Sequence, residues 1–439
     1  MKKNLRLLHL LAPAILVAMV CSAISVRAQS LWNATNGVSA DTNWSSAANW
    51  LPAAVPGVST NVLFNDGGGV GDTATIDNVV DTSMTIRQLA FRQTNGVHNT
   101  LILPGVTLTI SNAVAATNLY VATDTTASPA TLQVTNTISG PGGRLVLGST
   151  NISSVLAVRQ ISSSSGSHNE ILDMSGLDTF SASVGNVWVG VFPGSSTTSR
   201  PQGILFLAKT NSITALAVGS KQAPSIDVGD TGSSPGVGSV LALGITNNIA
   251  ADTMVIANQR CGGALRFNPA FTNGMVPSLY LRGHSGTRVT TFNIGDNSSA
   301  TAAIGSGTSG NVDFSGGIVD AMVGSMTLGN GQPIGGGTAT GPASGILIMT
   351  AGPLNINTLE IGFQTTNGSP AVNSGTVNVS GGTLTVNSTL RLARYNASGG
   401  FTTGTLNITN GTVLASNVVA GTGASTINMY GGTLVVSNA

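Results

Sequence analysis

Residues 344–362 read SGILIMTAGPLNINTLEIG, and this pattern recurs at residues 374–392 (SGTVNVSGGTLTVNSTLRL) and 403–421 (TGTLNITNGTVLASNVVAG). Each copy begins with a small residue and a glycine, continues as a short alternating strand, and passes through a turn containing Gly or Asn into further strands. The opening glycines follow one another at nearly constant spacing and are Gly345, Gly375 and Gly404. Repeats of this length, each built of short strands, predict a stacked array rather than a single globular core.

Looser copies of the same pattern extend toward the N-terminus. Residues 131–148, 204–219 and 240–256 alternate in the same way, and residues 172–190 (LDMSGLDTFSASVGNVWVG) resemble residues 312–329 (VDFSGGIVDAMVGSMTLG). A fourth copy starts at Thr426 and stops with the chain, which predicts a sequence truncated within a repeat. No amphipathic helix is evident after residue 28.

We therefore expect an all-β fold in which residues 73–439 form a parallel β-helix, right-handed by preference, with about three short strands per coil. Val, Leu and Ile would stack inward and polar residues would alternate outward. Between 12 and 18 coils are predicted at roughly 20 to 30 residues each, with Asn side chains at the turns stacked in ladders. The competing architectures are an antiparallel propeller and a β-sandwich, with hairpins at the Gly pairs that begin at 316, 381 and 431.

The composition favours a sheet protein with small polar turns. Charged residues make up 8% of the chain, against about 25% in typical soluble domains, while Gly accounts for 57 of 439 residues and aromatic residues for 4%. No run of basic residues indicates a nucleic-acid or anionic membrane surface.

Residues 1–28 have the pattern of an export signal. Lys2, Lys3 and Arg6 precede an apolar run over residues 7–20, and small or slim residues lead up to Ala28, after which we predict cleavage. The alternatives are a retained membrane helix, because the apolar stretch is about long enough to span a bilayer, and a lipoprotein anchored at Cys21. The expected location is the cell surface, the outer membrane or the extracellular space.

Without that segment the chain has little charge and a single thiol. Removing its four basic residues from the 17 in the chain leaves 13 against 16 acidic residues, a net charge of about −3. Cys261 is then the only cysteine, so we predict no internal disulfide and a small buried or turn residue at this position.

Residues 29–72 are predicted to cap the first coil. Three of the four Trp residues, Trp32, Trp44 and Trp50, fall within this segment. An array of strands has an open end that atypical terminal units cover. The functional alternative is a sugar-binding platform formed by the same three rings.

The N-terminal segment resembles the start of large exported bacterial proteins with autotransporter-associated β-strand repeats. The resemblance rests on Trp32, Asn43-Trp44, Ala48-Asn49-Trp50, Pro56 and Val62-Leu63-Phe64, and on the later GTL-x-(I/V)-x-x-GT segments. It implies a long parallel β-helix on the cell surface or in the extracellular matrix and carries over no catalytic residue. Such proteins usually continue into more repeats and then a translocator barrel or a sorting tail, and neither is evident in this sequence.

The densest polar group comprises His168, Glu170, Asp173 and Asp178, which we take as the candidate catalytic residues. Enzymatic β-helices place carboxylates on one outward sheet face, and Asp173 and Asp313 both lie between apolar neighbours that should face inward. We expect these two carboxylates to share a face but to lie several coils apart, too far for joint acid–base work. The alternative interpretation is solvated carboxylates at turns.

No metal or cofactor is predicted. The histidines beyond residue 28 are far apart in sequence and lack the spacing of a metal site. Residues 66–72 (DGGGVGD) and 227–230 (DVGD) resemble calcium-binding loops only weakly, so tight turns are predicted there.

The sequence favours a structural or adhesive β-solenoid over an enzyme. Possible partners are extracellular polysaccharides and other surface proteins. The alternatives are a polysaccharide lyase or glycoside hydrolase built on the β-helix, and a carbohydrate-binding protein.

Overall fold

The structure, a computed structural model, describes most of the chain after the predicted signal segment. The described residues are 29–33, 41–65, 77–93, 97–111, 117–121, 131–148, 154–159, 167–191, 201–217, 224–230, 238–298, 307–331, 342–364, 372–395 and 401–437. Residues 1–28, which carry the predicted export signal and Cys21, and the DGGGVGD segment at residues 66–72 lie outside them.

Short strands wind around one axis and form three faces, and each strand pairs with the strand one coil later. The first face contains β4 (Asn78–Val80), β7 (His98–Ile102), the start of β10 (Thr131–Gly148), β12 (Ser167–Asp173), β15 (Pro201–Phe206), β18 (Ser239–Leu243), β21 (Gly262–Phe267), β24 (Thr308–Asp313), β26 (Ala343–Met349), β28 (Val372–Val379), β30 (Phe401–Ile408) and β32 (Ala424–Met429). The second face contains β5 (Met84–Ile86), β8 (Thr107–Ser111), the end of β10, β13 (Leu177–Val184), β16 (Thr210–Ala215), β19 (Thr246–Ala251), β22 (Ser278–Arg282), the starts of β25 (Ile318–Gly331), β27 (Pro353–Gln364), β29 (Thr383–Tyr395) and β31 (Thr412–Ala420), and β33 (Thr433–Val436).

The third face begins earliest in the chain. It contains β1 (Gln29–Trp32), β3 (Asn61–Phe64), β6 (Gln88–Phe91), β9 (Thr117–Val121), β11 (Val155–Val158), β14 (Asn186–Val191), β17 (Ile226–Asp230), β20 (Thr253–Asn258), β23 (Val289–Asp296) and the ends of β25, β27, β29 and β31. The remaining elements are β2 (Trp50–Leu51), a 3-10 helix (Ala47–Asn49) and the short α1 (Pro269–Thr272).

The pairing confirms the predicted parallel β-solenoid. Leu347 pairs with Val377, and Val377 pairs with Leu406, so successive repeats stack in register. Among the described strands only β1 and β2 pair antiparallel, and the sheet stays open rather than closing into a barrel. A propeller or sandwich of hairpins would need antiparallel neighbours throughout, so neither competing architecture describes the chain.

One hydrophobic core runs along the whole solenoid. The inward positions of the three faces are Leu, Val, Ile, Phe and Met, nearly all of them fully buried. Within the described residues, twelve strands stack on the first face, which equals the lower bound of the predicted coil number. At ~4.8 Å per rung the stack is roughly 55 Å long.

The repeated opening glycine is explained by a close approach of two backbones. Gly345, Gly375 and Gly404 form one column of the first face, directly against the corner where the third face ends. A Cβ added at Gly375 would lie 2.3 Å from the backbone nitrogen of Gly362. Gly362 itself has φ of 75°, a left-handed conformation that suits glycine. Each copy therefore begins with glycine because its neighbour leaves no space for a side chain.

Amide ladders stabilise the last coils. Asn407 donates from Nδ2 to Asn378 Oδ1 at 2.7 Å, and Asn428 donates to Asn407 Oδ1 at 2.8 Å. These three residues are neighbours in the register of the first face. The Asn ladders predicted from the sequence are thus present, although they lie on strands rather than at turns.

The N-terminal segment belongs to the solenoid sheet. β1 pairs parallel with β3, and β3 pairs parallel with β6. The third face therefore starts inside residues 29–72 rather than after them. Cys261 is buried, and its Sγ donates to the carbonyl oxygen of Asn258 at 3.2 Å. In the described part of the chain, no helix has the length and apolar character needed to cross a membrane.

Candidate functional site

The structure separates the four candidate catalytic residues by environment. Glu170 is fully buried on the same side of β12 as the core residue Leu172. Asp173 accepts a hydrogen bond at 2.8 Å from the backbone nitrogen of Ser175 and so closes a turn. His168 lies on β12, and its side chain is outside the described part.

Asp178, on β13 of the second face, is engaged in an ion pair. Its carboxylate accepts from Lys209 Nζ at 2.7 Å and from the backbone nitrogen of Gly142 at 2.6 Å. The hydrogen bond from Lys209, followed by that from Gly142, lowers the pKa of Asp178 from its usual value. An ionised, paired carboxylate is a poor general acid at neutral pH.

Asp173 and Asp313 do share one column of the first face, as the alternation predicts. The column runs from Asp173 through Phe206, Ala242 and Arg266 to Asp313, so the two carboxylates lie four rungs apart. Four rungs span roughly 19 Å, whereas acid–base groups must reach the same substrate within a hydrogen bond. Asp313 binds the backbone nitrogen of Ser315 just as Asp173 binds that of Ser175. Both residues close turns.

The three candidate sugar-binding tryptophans are all buried. Trp32, Trp44 and Trp50 expose 1%, 0% and 1% of their surface. Trp44 and Trp50 pack edge to face at 5.2 Å, and each indole nitrogen donates inside the cluster, to Asn78 Oδ1 and to the carbonyl oxygen of Trp44 respectively. A platform for sugars needs exposed ring faces, and these rings present none. They pack around Phe64 as the first part of the hydrophobic core.

Two histidines pair with carboxylates at separate places. The Nδ1 of His284 contacts Oδ2 of Asp252, and the Nδ1 of His98 lies 3.7 Å from Asp77 Oδ1. Within the described residues, no three His, Cys, Asp or Glu side chains come together as a metal site would require.

A cleft lies on the outside of the third face, near its start. It has a volume of about 260 Å³. Its lining combines a row of amides with a row of apolar and aromatic side chains: Gln29, Asn61, Val62, Leu63, Gln88, Ala90, Arg92 and Tyr120. The amides are successive rungs of one column, and Leu63, Ala90 and Tyr120 are successive rungs of the next. The cleft is deepest at Ala90, because the methyl group of this residue lies between the larger side chains of Leu63 and Tyr120.

The apolar row continues beyond the cleft as a second cluster of buried side chains, separate from the main core. Ala90, Tyr120, Val155 and Ala157 pack together, with Trp188 against them. The guanidinium of Arg92 lies 5.1 Å from the ring centre of Tyr120, and that of Arg159 lies 5.3 Å from the ring of Trp188. The sequence analysis missed this cluster, although LAFRQ at residues 89–93 recurs as LAVRQ at residues 156–160. The two segments can be related only once the pairing of the strands is known.

A buried carboxylate pair lies further along the third face. Asp227 and Asp230 flank Gly229 on β17, and they expose only 1% and 7% of their surface. Burial, and next the charge of Asp230, raise the pKa of Asp227 well above its usual value. Two rungs later Asn293 and Asp296 occupy the same two positions, and there Asn293 Nδ2 donates to Asp296 Oδ2 at 2.7 Å. The DVGD segment is thus part of a strand and not the predicted turn.

We expect Asp227→Asn to stabilise the protein at neutral pH by about 1–3 kcal/mol, because an amide replaces a buried acid. The native state holds the proton of Asp227 above pH 4, where the unfolded chain releases it. Stability of the parent chain therefore falls as pH rises from about 4 to the raised native pKa. Thermal midpoints between pH 4 and 8 should fall less steeply for the variant. Asp313→Asn, which keeps its turn contact, is the matched control, and equal pH slopes for parent and Asp227→Asn would contradict the assignment.

Comparison with protein-family models, with curated proteins and with solved structures gave no match to this chain.

Proposed function

We propose that the chain is an exported structural or adhesive β-solenoid that acts at the cell surface or in the extracellular matrix. The observation that carries this proposal is the single core, which passes without interruption through the stacked coils from Trp32 to Ala415. A continuous core with parallel pairing on three faces makes a stiff elongated body. Length and durable shape are what a structural rod supplies.

The outer surface supports the same role. Ser, Thr and Asn occupy many outward positions, and the amide ladder of the last coils is typical of such surfaces. Of the candidate catalytic carboxylates, Asp173 closes a turn, Asp178 forms an ion pair with Lys209, and Glu170 is buried. The enzyme alternative required Asp173, Asp313 and their neighbours to converge in one groove, and this arrangement is not found among the described residues.

Export by residues 1–28 and kinship with the autotransporter-associated repeat proteins are parts of this proposal. The pattern of Lys2, Lys3 and Arg6 before an apolar run supports export. The stacked repeats support the kinship. Carbohydrate binding is the second candidate function, because the cleft outside the third face combines amides with an aromatic ring.

The test is to locate the protein and remove it. An antibody against the purified chain should label intact cells of the source organism, and deletion of the gene should weaken attachment between cells or to surfaces. The parent gene and a Gly238→Ala variant should restore attachment, since nothing lies within 4 Å of a Cβ at Gly238. A Gly375→Ala variant, with its backbone clash, should fail to restore it. Labelling only after permeabilisation, or unchanged attachment, would contradict the proposal.

A further inference from the structure

The charged residues of the last coils meet at one corner of the solenoid. After Asp320 the sequence contains only three charged residues, which are Glu360, Arg391 and Arg394. Glu360 pairs in register with Arg391 on the next rung of the third face, and Arg394 follows three residues later. All three side chains are in contact. The last coils therefore carry their charge at this corner alone.

The bend at the end of the third face brings the two arginines to the same side. Ala393 lies between them with φ of 52°, a left-handed conformation that is uncommon for a residue other than glycine. One rung earlier the same corner is formed by Gly362, with φ of 75°. Beyond this corner Arg394 turns back toward Arg391, so both guanidiniums reach the same carboxylate.

The two guanidiniums share a single carboxylate oxygen. Arg391 Nη1 and Arg394 Nη1 donate to Glu360 Oε1 at 3.1 and 3.2 Å. No other acceptor among the described residues binds either guanidinium, although each carries five N–H groups in a planar fork. Burial raises the pKa of Glu360, and the charges of Arg391 and then Arg394 oppose this rise. With Glu360 ionised, the cluster keeps a net charge of about +1 and several unused donors.

This corner is open to solvent, in contrast to the buried clusters earlier on the third face. Arg391 and Arg394 expose 29% and 35% of their side chains, and Glu360 beneath them exposes 8%. No nitrogen atom of these two guanidiniums is buried without a hydrogen-bond partner, so the donors that Glu360 does not use face water. The ring of Phe363 lies 4.9 Å from the Arg394 guanidinium and packs on its flat side, which leaves the N–H edge clear.

The charge and the geometry of the donors select a singly charged oxyanion. Two guanidinium forks need a ligand with at least two acceptor oxygens, as a carboxylate or a sulfate ester has. One negative charge compensates the net charge of the cluster. A dianion would instead leave excess negative charge beside Glu360.

Hydroxyl and amide groups next to the arginines suit a sugar. Thr358, Thr389 and Asn417 are successive rungs of the neighbouring outward column. Thr389 precedes Arg391 by two residues on β29, so both side chains leave the sheet on the same side. Asn417 is exposed and the two threonines are half-buried. These groups can donate to and accept from the hydroxyl groups of a bound sugar.

We propose that Arg391 and Arg394 bind the carboxylate or sulfate ester of an acidic sugar, with Thr389 and Asn417 beside them for its hydroxyl groups. Glu360 is a positioning residue that holds the two guanidiniums together. The proposal goes beyond the structural role and can fail independently of it, because its test uses the purified chain without cells.

The test measures binding of four polymers by isothermal titration calorimetry at low and at moderate salt. Polygalacturonate supplies sugar carboxylates and dextran sulfate supplies sulfate esters, so the two distinguish the sources of the oxyanion. Dextran is the neutral control, and polyglutamate carries carboxylates without sugar hydroxyls. We expect at least one acidic polysaccharide to bind, more weakly as salt rises, with weaker binding of polyglutamate and none of dextran. Equal binding of dextran or polyglutamate, or no binding of either acidic polysaccharide, would overturn the proposal.

Variants of the cluster should change the affinity in opposite directions. Arg391→Gln should weaken binding about tenfold or more, because a charge-assisted hydrogen bond is lost. Arg394→Lys keeps the charge but loses the planar fork, and should weaken binding roughly three- to tenfold. Glu360→Gln keeps an acceptor oxygen for the arginines and removes the competing negative charge, so it should strengthen binding about fivefold.

Arg282→Gln is the matched control. Arg282 is a partly exposed arginine of the second face, paired one to one with Asp320 at 2.8 Å, and its variant should bind like the parent chain. Thermal midpoints of all variants are recorded alongside. If the cluster only holds neighbouring rungs together, the midpoints will change while both arginine variants bind like the control. That result, or a Glu360→Gln variant that binds no more tightly than the parent, would overturn the proposal.

Discussion

Gly375→Ala is expected to destabilise the solenoid by about 3 kcal/mol or more, at or above the upper end of the range for overpacked sites. The added Cβ would meet the backbone nitrogen of Gly362 at 2.3 Å and the backbone carbon of Ile361 at 2.7 Å. Both atoms belong to the main chain, so no side chain can rotate away. The corner between the third and first faces must therefore open, which breaks ladder hydrogen bonds on both sides.

The measurement is the urea or thermal midpoint of the purified chain, followed by circular dichroism. Gly238→Ala is the control, because a Cβ there has no neighbour within 4 Å. We expect the free energy of unfolding of this variant to remain within about 0.5 kcal/mol of the parent's or to rise slightly, because alanine restricts the unfolded chain. A Gly375→Ala midpoint equal to that of the control would show that the backbones are not in contact.

Trp44→Ala is expected to cost about 3–5 kcal/mol, the usual range for emptying a large aromatic site. Trp44 is fully buried, packs edge to face on Trp50 and lies 5.9 Å from the ring of Phe64. Its loss also leaves Asn78 Oδ1 without the indole donor at 2.8 Å. The cap would loosen, and the first rungs of the third face would be exposed to water.

Thermal unfolding distinguishes the cap from a binding platform. The thermal midpoint of Trp44→Phe should lie between those of the parent and of Trp44→Ala, because phenylalanine keeps an aromatic ring but loses the indole hydrogen bond. Val58→Ala changes a 66% exposed position of the same segment. Its free energy of unfolding should remain within about 0.5 kcal/mol of the parent's. An unchanged midpoint for Trp44→Ala together with lost polysaccharide binding would instead favour the platform.

The periodic part of the fold could be predicted because its signal is local. Gly345, Gly375 and Gly404 recur at nearly constant spacing in the sequence, and in the solenoid they pair with one another on successive rungs. Alternation likewise placed Asp173 and Asp313 outward on one face. These patterns depend only on strand geometry and on which residues can be buried.

The cleft at the start of the third face and the cluster of Ala90, Tyr120 and Ala157 beside it could not be predicted, because the length of chain per coil varies. Val240 pairs with Ala264 and Ala264 pairs with Asn311, yet the second of these coils contains almost twice as much chain as the first. Because coils differ this much in length, the sequence alone does not show that Tyr120 lies between Ala90 and Ala157 on neighbouring rungs.

The buried pair of Asp227 and Asp230 was misread as a turn, because the third face bends at Gly229, which has φ of 81°, and the local sequence does not show this bend. The three Trp residues were expected to cap the first coil, with an exposed sugar platform as the alternative, and the rings bury one another and leave no platform. In both cases the deciding contacts come from neighbouring rungs, which local sequence does not reveal.

The stacking of coils is tested most directly by distances between spin labels along one column. Val240, Ala264, Asn311 and Thr426 belong to the same outward column of the first face, and Thr426 lies six, five and four rungs from the first three. Each would be labelled in turn with Thr426, as cysteine pairs in a Cys261→Ser background, and measured by double electron–electron resonance.

The parallel solenoid predicts distances of roughly 29, 24 and 19 Å between backbone positions, in equal steps of ~4.8 Å. The two steps should be equal although the coil from Ala264 to Asn311 contains almost twice as much chain as the coil from Val240 to Ala264. Unequal steps that follow the length of the intervening chain, or distances that do not decrease in this order, would contradict the stacked register on which the whole account depends.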